Sequence, residues 1–508
     1  MPAKTLMVQG TASNVGKSII TAALCRILKR KGYRVAPFKA QNMSNNSFAT
    51  KDGGEVSRAQ AEQAAACELE PTIAMNPVLL KPTTDQGAQV VVMGKPIGTM
   101  TAKEYQAYKP KLLPIVRGAL NQLMKSFDVV VIEGAGSPAE INIKHEIVNM
   151  AVARMVKAPV ILVGDIDKGG IFAQFLGTFN LLKSSDQKLV CGFLVNKFRG
   201  DKKILDPGLK WLERQTKRKV LGVVPFIPDL DIAEEDSVAL EKTSNIGLAQ
   251  AETLLKVDVI RLPKISNFTD FDALKKERDV ALNFLQKPNR NYLPDLIILP
   301  GSKSTISDLK FLWDSGFVAY IKKCVMRGVP IIGICGGYQM MGEKVLDPEH
   351  VEAEESECFG LGLLPTVTVF QKEKITCQVK AIHLESQMEI AGYEIHMGRT
   401  ENHNGSQPFL KIKERNGVLS ESDDGVMIEN TTSGGRSFIY GTYLHGLFDN
   451  APFRRFFLNK IRRIGELEIL SDHASQEQQI ENSFDVLADS VENHIDMKFL
   501  LGILEGKK

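Results

Sequence analysis

The chain predicts two consecutive α/β domains, each built on a largely parallel sheet with helices between the strands. Three observations carry this. Short apolar runs recur with amphipathic stretches between them, the pattern of parallel strands buried on both faces. A glycine-rich loop joins the first apolar run to the first helical stretch. Far downstream, a cysteine stands between another apolar run and a helix-forming stretch. At 508 residues the chain is also too long for a single core.

Leu6-Met7-Val8 reads as the first strand. Lys17 to Arg30 follows as a helix with Ile20, Ala23, Leu24, Ile27 and Leu28 on one side, and Gly32 stops it. Further buried strands are expected at Val129–Ile132, Val160–Val163, Phe193–Val195 and Leu221–Val224. The pattern then turns acidic and polar from Asp229 to Ser244, with Asp231, Glu234, Glu235 and Asp236 close together, and a domain boundary is expected there. This gives a first domain over 1–240 and a linker over 241–252. A second series starts with strands at Val257–Ile260, Leu296–Leu299 and Ile331–Ile334. Shorter alternating segments from Leu363 to Tyr443 read as a mixed or antiparallel continuation, completing a domain over 253–455. Residues 456–508 read as helices expected to pack on that second domain.

Composition narrows the function classes. The chain is 44% hydrophobic and 24% charged, as in ordinary globular enzymes, and its net charge of +3 gives no argument for nucleic acid or a membrane surface. The cysteines Cys25, Cys67, Cys191, Cys324, Cys335, Cys358 and Cys377 form no CxxC pair and no Cys/His cluster, so neither a disulfide frame nor a structural zinc site is indicated. Met1 to Leu6 leads directly into a strand without a signal-peptide apolar core, and no apolar run is long enough to cross a bilayer. The expected location is cytoplasmic.

Gly10-Thr11-Ala12-Ser13-Asn14-Val15-Gly16-Lys17-Ser18 follows a strand and opens a helix, the setting of a phosphate-binding loop. Its backbone N–H groups and helix N-terminus attract phosphate oxygens, Lys17 adds a point charge, and the Ser18 hydroxyl is suited to Mg²⁺. Gly10, Asn14, Gly16, Lys17 and Ser18 are thus expected to bind ATP. Five residues rather than four separate the two glycines, a spacing that resembles dethiobiotin synthetase and its relatives, which activate carboxylates as acyl phosphates. Glu133 ends a strand at a place that suits a carboxylate reaching the metal, or an acid that only caps the next helix. Asp165 and Asp167 end another beside Gly169 and Gly170, a place that suits positioning of substrate or metal, or a simple turn. Asn196 offers a donor and an acceptor to a purine edge. Lys39 lies just beyond the second strand, suited to neutralising an acyl phosphate. The amide-rich run through Asn42 to Ser47 suits a large polar substrate. Glu55 and Glu62 are alternatives for a second magnesium carboxylate.

Ile334-Cys335-Gly336-Gly337-Tyr338 has the strand–turn–helix layout of a nucleophile elbow, which pushes the thiol out at a sheet end. His445, ending the apolar run Tyr440 to Leu444, is the expected base, since pairing with an imidazolium leaves a strong thiolate nucleophile. His396 is expected to serve scaffold or substrate contact. The turn Pro300-Gly301-Ser302-Lys303-Ser304 supplies backbone N–H groups that, with that of Gly336, suit an oxyanion hole, or else an ordinary turn and helix cap.

Together Gly10–Ser18, Pro37–Ser47, Ile132–Gly136, Val195–Asp201, Pro300–Ser304, Gly333–Tyr338 and Tyr443–Gly446 resemble the cobyric acid synthase family of cobalamin-pathway amidotransferases, over essentially the whole chain. The resemblance implies a P-loop NTPase-like, dethiobiotin-synthetase-like amide ligase domain followed by a class I glutamine amidotransferase domain. It further implies that Cys335 releases ammonia from glutamine while ATP phosphorylates corrinoid carboxylates. The family amidates the b, d, e and g side chains of adenosylcobyrinic acid a,c-diamide. Implied small-molecule partners are the corrinoid, glutamine and ATP with Mg²⁺. Class I enzymes usually carry a Glu two residues after the histidine; here Leu447 stands there, so the family's cobalamin subtype is implied to use a Cys–His dyad. Two other readings stay open: a related ligase acting on another carboxylate, and a regulatory ATPase carrying an inactive glutaminase.

Overall fold

A computed structural model describes residues 3–83, 87–142, 146–227, 254–289, 291–403, 405–432, 435–471 and 476–506. The expected boundary at Asp229–Ser244 and the linker 241–252 lie outside the described residues. The chain forms two compact units: Met1–Ser44, Val56–Glu235 and Glu477–Lys508 make one, Asn45–Glu55 and Asp236–Gln476 the other. Among the described residues, no helix is long and apolar enough to cross a membrane.

The first unit carries a six-stranded parallel sheet in the order Lys219–Pro225, Val190–Phe198, Val160–Asp165, Lys4–Gly10, Val129–Glu133, Val35–Lys39. These strands contain the near-continuous apolar runs seen in the sequence, and both faces are covered. The helix Lys17–Arg30 covers one face with Ile20, Leu24, Ile27 and Leu28. A smaller sheet of Gln41–Met43, Val78–Pro82, Gly87–Val92 and Lys95–Thr101 extends this unit, ahead of the helix Ala102–Ser126.

The C-terminal helices correct the sequence expectation. Ala451–Ile464 packs in the second unit through Phe453, Phe457, Leu458 and Ile461. Gln476–His494 and Met497–Leu504 instead belong with the first unit. Their apolar residues Phe484, Leu487, Val491, Leu500 and Leu504 share one core with Leu24 and Leu221, and Arg26 Nε bonds Asp485 Oδ1 at 2.8 Å. Chain order suggested the nearer domain; an uncovered apolar sheet face decided otherwise.

The second unit has a sheet in the order Val280–Leu285, Leu255–Ile260, Leu296–Leu299, Ile331–Ile334, Gly435–Thr442, Val426–Thr432, parallel except for the last strand. The segments from Leu363 onward do not simply continue it. Thr366–His383 and Glu389–Asn402 are long antiparallel strands of a separate sheet. Of the described residues after Leu363, only the strands Val426–Thr432 and Gly435–Thr442 join the mainly parallel sheet, and this places the run before His445 directly beside the strand before Cys335.

Gly222 shows how tightly the C-terminal helices close on the first unit. Its residue forms a bridge to Ile495, and a Cβ there would run into the His494 carbonyl oxygen. Gly222→Ala is therefore expected to destabilise the first unit by about 1–3 kcal/mol, through forced separation of packed backbone. A lowered thermal transition checks this; an unchanged one would show that the contact yields freely.

Candidate active sites

In the second unit the elbow is formed as its sequence requires. Cys335 stands between Ile331–Ile334 and the helix Gly336–Met341 with φ of 50° and ψ of −107°, backbone strain of the kind that collects at functional sites. Its N–H donates to Thr442 O at 2.8 Å, and its Sγ lies 3.6 Å from Ile395 O. Gly337 is obligatory, because a Cβ would strike the Leu299 carbonyl oxygen. Gly336 lies against Ser302, where a Cβ would come 2.8 Å from the Ser302 N. Gly301 lies against the imidazole, a Cβ there falling 3.1 Å from His445 Cε1. The two residues expected to form an oxyanion hole thus sit at the cysteine and histidine loops.

His445 is buried and engages Cys335. Its Nδ1 bonds Asp270 Oδ2 at 2.7 Å, and Asp270 Oδ1 accepts from Gly446 N at 3.0 Å. Burial opposes charge on this ring, but the Asp270 carboxylate and the Cys335 sulfur overcome it and push the imidazolium pKa up to about 10. Asp270 escaped the sequence reading. It lies in the short helix Phe268–Phe271, 175 residues from its partner, and its only signal was an acidic residue in the loop after a parallel strand. Leu447, at the usual Glu position, is buried in the apolar core.

Around this pair, Tyr393 stacks on His445 at 5.2 Å, and the two exchange backbone bonds of 3.1 and 2.9 Å. His396 stacks on Tyr443 at 3.7 Å, and its Nδ1 bonds Gly398 O at 2.8 Å. Burial lowers its pKa to about 4, so it is neutral near pH 7. Gln339 bonds Thr305 and Tyr443.

In the first unit the residues expected to bind ATP gather at the carboxyl edge of the sheet. Gly16, with φ of 95°, opens the helix Lys17–Arg30, so the helix N-terminus faces the loop. Ser18 Oγ and Lys39 Nζ both reach Glu133 Oε1 at 2.9 Å, and Gln63 bonds Oε2. Lys39 and Glu133 are both buried. Lys17 Nζ donates to Ala12 O at 2.9 Å. Asn196 lies at the same loop: its Nδ2 donates to Val15 O at 2.9 Å, and its amide packs against Gly16. Lys197 Nζ bonds Asn14 O and Asp165 Oδ2, each at 2.9 Å, tying Asp165 to the same loop. Asp165 also accepts from Asp167 N at 3.0 Å, closing the turn. Asn42 is buried, with Oδ1 on Met43 N and Nδ2 without a hydrogen-bond partner.

Ser18 and Glu133 offer adjacent hard oxygen donors, the chemistry that a small divalent cation takes, with phosphate and water completing its shell. They fit Mg²⁺. Of the alternatives for a second carboxylate, Glu55 pairs with Lys374, both in the second unit, and Glu62 pairs with Arg58 at 2.9 Å.

Residues 6–239 match the CobQ/CobB/MinD/ParA nucleotide binding domain, and residues 256–453 match the CobB/CobQ-like glutamine amidotransferase domain. Proteins named cobyric acid synthase align over nearly the whole chain. That of Dehalococcoides mccartyi is 47% identical over 513 residues, covering 99% of each chain. That of Streptococcus sanguinis is 48% identical over 503 residues, again covering 99% of each. That of Moorella thermoacetica is 47% identical over 517 residues, covering 99% of this chain and 97% of the relative. The chain belongs to the cobyric acid synthase family. As a member of the cobyric acid synthase family it is a glutamine-hydrolysing carbon–nitrogen ligase of cobalamin biosynthesis, with a nucleotide-binding domain that uses ATP.

The buried ion pair sets a pH expectation. Because the His445 pKa is raised, its pairing favours the folded state fully below the ordinary histidine pKa and fades as pH rises through about 10. Asp270→Asn removes the charge, so the imidazolium is lost as pH rises through the ordinary histidine range. Glutamine hydrolysis is expected to fall on the order of 10²-fold, with the alkaline side of its pH profile moving down. An unchanged profile would refute the orienting role of Asp270.

Proposed function

We propose that this chain converts adenosylcobyrinic acid a,c-diamide to adenosylcobyric acid, amidating the b, d, e and g carboxylates with ammonia from glutamine. The observation that carries the glutaminase half is the buried Cys335–His445–Asp270 arrangement at the elbow. Cys335 Sγ attacks the glutamine side-chain carbonyl carbon. The oxyanion that forms is held by the backbone N–H groups of Gly301 and Gly336. His445 hands its proton to the departing nitrogen, and ammonia leaves a thioester on Cys335. Water then attacks the thioester, His445 takes a proton from it, and glutamate departs as the thiolate is restored.

The ligase half rests on the loop and the Glu133 centre. Gly10, Asn14, Gly16, Lys17 and Ser18 cradle the ATP phosphates. A corrinoid carboxylate oxygen attacks the γ-phosphorus, ADP leaves, and an acyl phosphate forms. Ser18 and Glu133 would hold Mg²⁺, which would supply neutralising charge at the phosphate oxygens. Lys39 stands beside that carboxylate to offset the negative charge of the acyl phosphate, with Asn42 and Asp165 contacting or positioning substrate. Ammonia then adds to the acyl carbon and phosphate leaves, giving the amide. Ammonium is not nucleophilic, which favours passing ammonia directly from one reaction to the other.

Cys335→Ala is expected to abolish glutamine-driven amidation, by 10³-fold or more on the order typical of lost nucleophiles, while amidation with added ammonia continues. Lys39→Met is expected to remove both. Product analysis with cobyrinic acid a,c-diamide, ATP and either nitrogen source checks this. If the corrinoid stimulates neither ATP turnover nor glutamine hydrolysis, a related ligase with another carboxylate substrate is the better reading.

A further inference from the structure

The second unit contains one piece of N-terminal sequence, Asn45–Glu55, and this piece grips the turn that carries Asp270. The short helix Phe268–Phe271 begins at Asn267, whose φ of 52° is left-handed and which makes no side-chain cap bond to its own helix. The Asn267 Oδ1 instead accepts from Ser47 N at 2.9 Å, while Asn46 Oδ1 accepts from Phe268 N at 3.2 Å. The exchange is reciprocal. The cap for the first amide of this helix comes from 222 residues earlier in the chain. Both bonds are buried, so neither is readily replaced by water.

The consequences run in two directions from this clasp. Through the helix, Asp270 N donates to Asn267 O at 3.0 Å, and the Asp270 carboxylate holds His445 Nδ1 at 2.7 Å. Through the other face, Phe48 lies 5.1 Å from Tyr393, the ring that stacks on His445. The segment is itself anchored at its far end, where Gln378 Nε2 bonds Ala49 O at 3.3 Å and Lys374 pairs with Glu55. The imidazole is therefore held on two sides by groups that this segment supports.

We infer that Asn46 is a positioning residue of the glutaminase: it caps the Asp270 turn from outside and thereby sets the orientation of His445 toward Cys335. The inference rests on Cys335 and His445 being the glutaminase pair.

The test uses the full chain, with glutamine hydrolysis, alkylation of Cys335 by iodoacetamide across pH, and thermal denaturation measured together. Asn46→Ala is expected to lower kcat for glutamine roughly 10- to 100-fold with KM changed less than about threefold. Its alkylation profile should move to higher pH, as that of Asp270→Asn is also expected to, because an unheld carboxylate no longer secures the imidazolium. Asn46→Asp keeps an acceptor for the Phe268 amide and should recover most of kcat. Wild-type kcat and profile in Asn46→Ala would overturn the inference. So would loss of the folding transition in both variants, which would make the clasp structural alone. Cys335→Ala separates the two readings: if it hydrolyses glutamine normally, the pair assignment fails first.

Discussion

A parallel sheet delivers all its strand ends to one edge, and both units are organised around that constraint. In the first, Gly10, Lys39, Glu133 and Asp165 each end a strand, so the phosphate loop, a cation and a carboxylate pair meet without long-range bending of the chain. In the second, Leu299, Ile334 and Thr442 end neighbouring parallel strands. Gly301, Cys335 and His445 follow them within three residues and therefore converge. Register matters as much as order. Ile334 stands opposite Thr442, and the Thr442 carbonyl takes the Cys335 amide, which pins the strained elbow to the strand that leads to its base.

Convergence at an edge creates an electrostatic problem, because the gathered groups are charged and mostly buried. Each unit answers it by pairing. Glu133 faces Lys39 with Ser18 and Gln63 as further donors, and Asp165 faces Lys197. His445 faces Asp270 on one side and Cys335 on the other. Removing one partner from such an arrangement leaves a buried charge uncompensated, which costs far more than the pair contributes. The pairs therefore serve orientation more than stability.

A second buried carboxylate layer supports the glutaminase loop from behind. Asp424 bonds Thr442 and accepts from Tyr443 N at 3.2 Å, and burial pushes its pKa up to about 7. Next to it, Glu394 pairs with Arg415 at 3.1 Å on the strand that also carries His396 and Ile395. The long antiparallel strands thus reach the elbow with side chains already fixed by hydrogen bonds. At the elbow itself Gln339 Nε2 donates to the Tyr443 hydroxyl at 3.2 Å.

Local patterns made much of this legible in the sequence alone. The phosphate loop, the elbow and most core strands announce themselves because each depends on neighbours in sequence: a glycine spacing, an apolar run, a turn. The same reasoning placed Lys39, Glu133 and Asp165 correctly at strand ends, and it tied Cys335 to His445. It missed Asp270, left the bond from Asn196 to Val15 O unseen, and sent the last helices to the wrong unit. Those three share a cause. A buried hydrogen bond or apolar contact between residues far apart leaves no local period, since its partner is chosen by which strand ends and sheet faces come together. The sequence by itself determined the chemistry available at each sheet edge; only the tertiary structure decided which groups hold one another there, because burial makes every polar atom seek a partner wherever the fold brings one within reach.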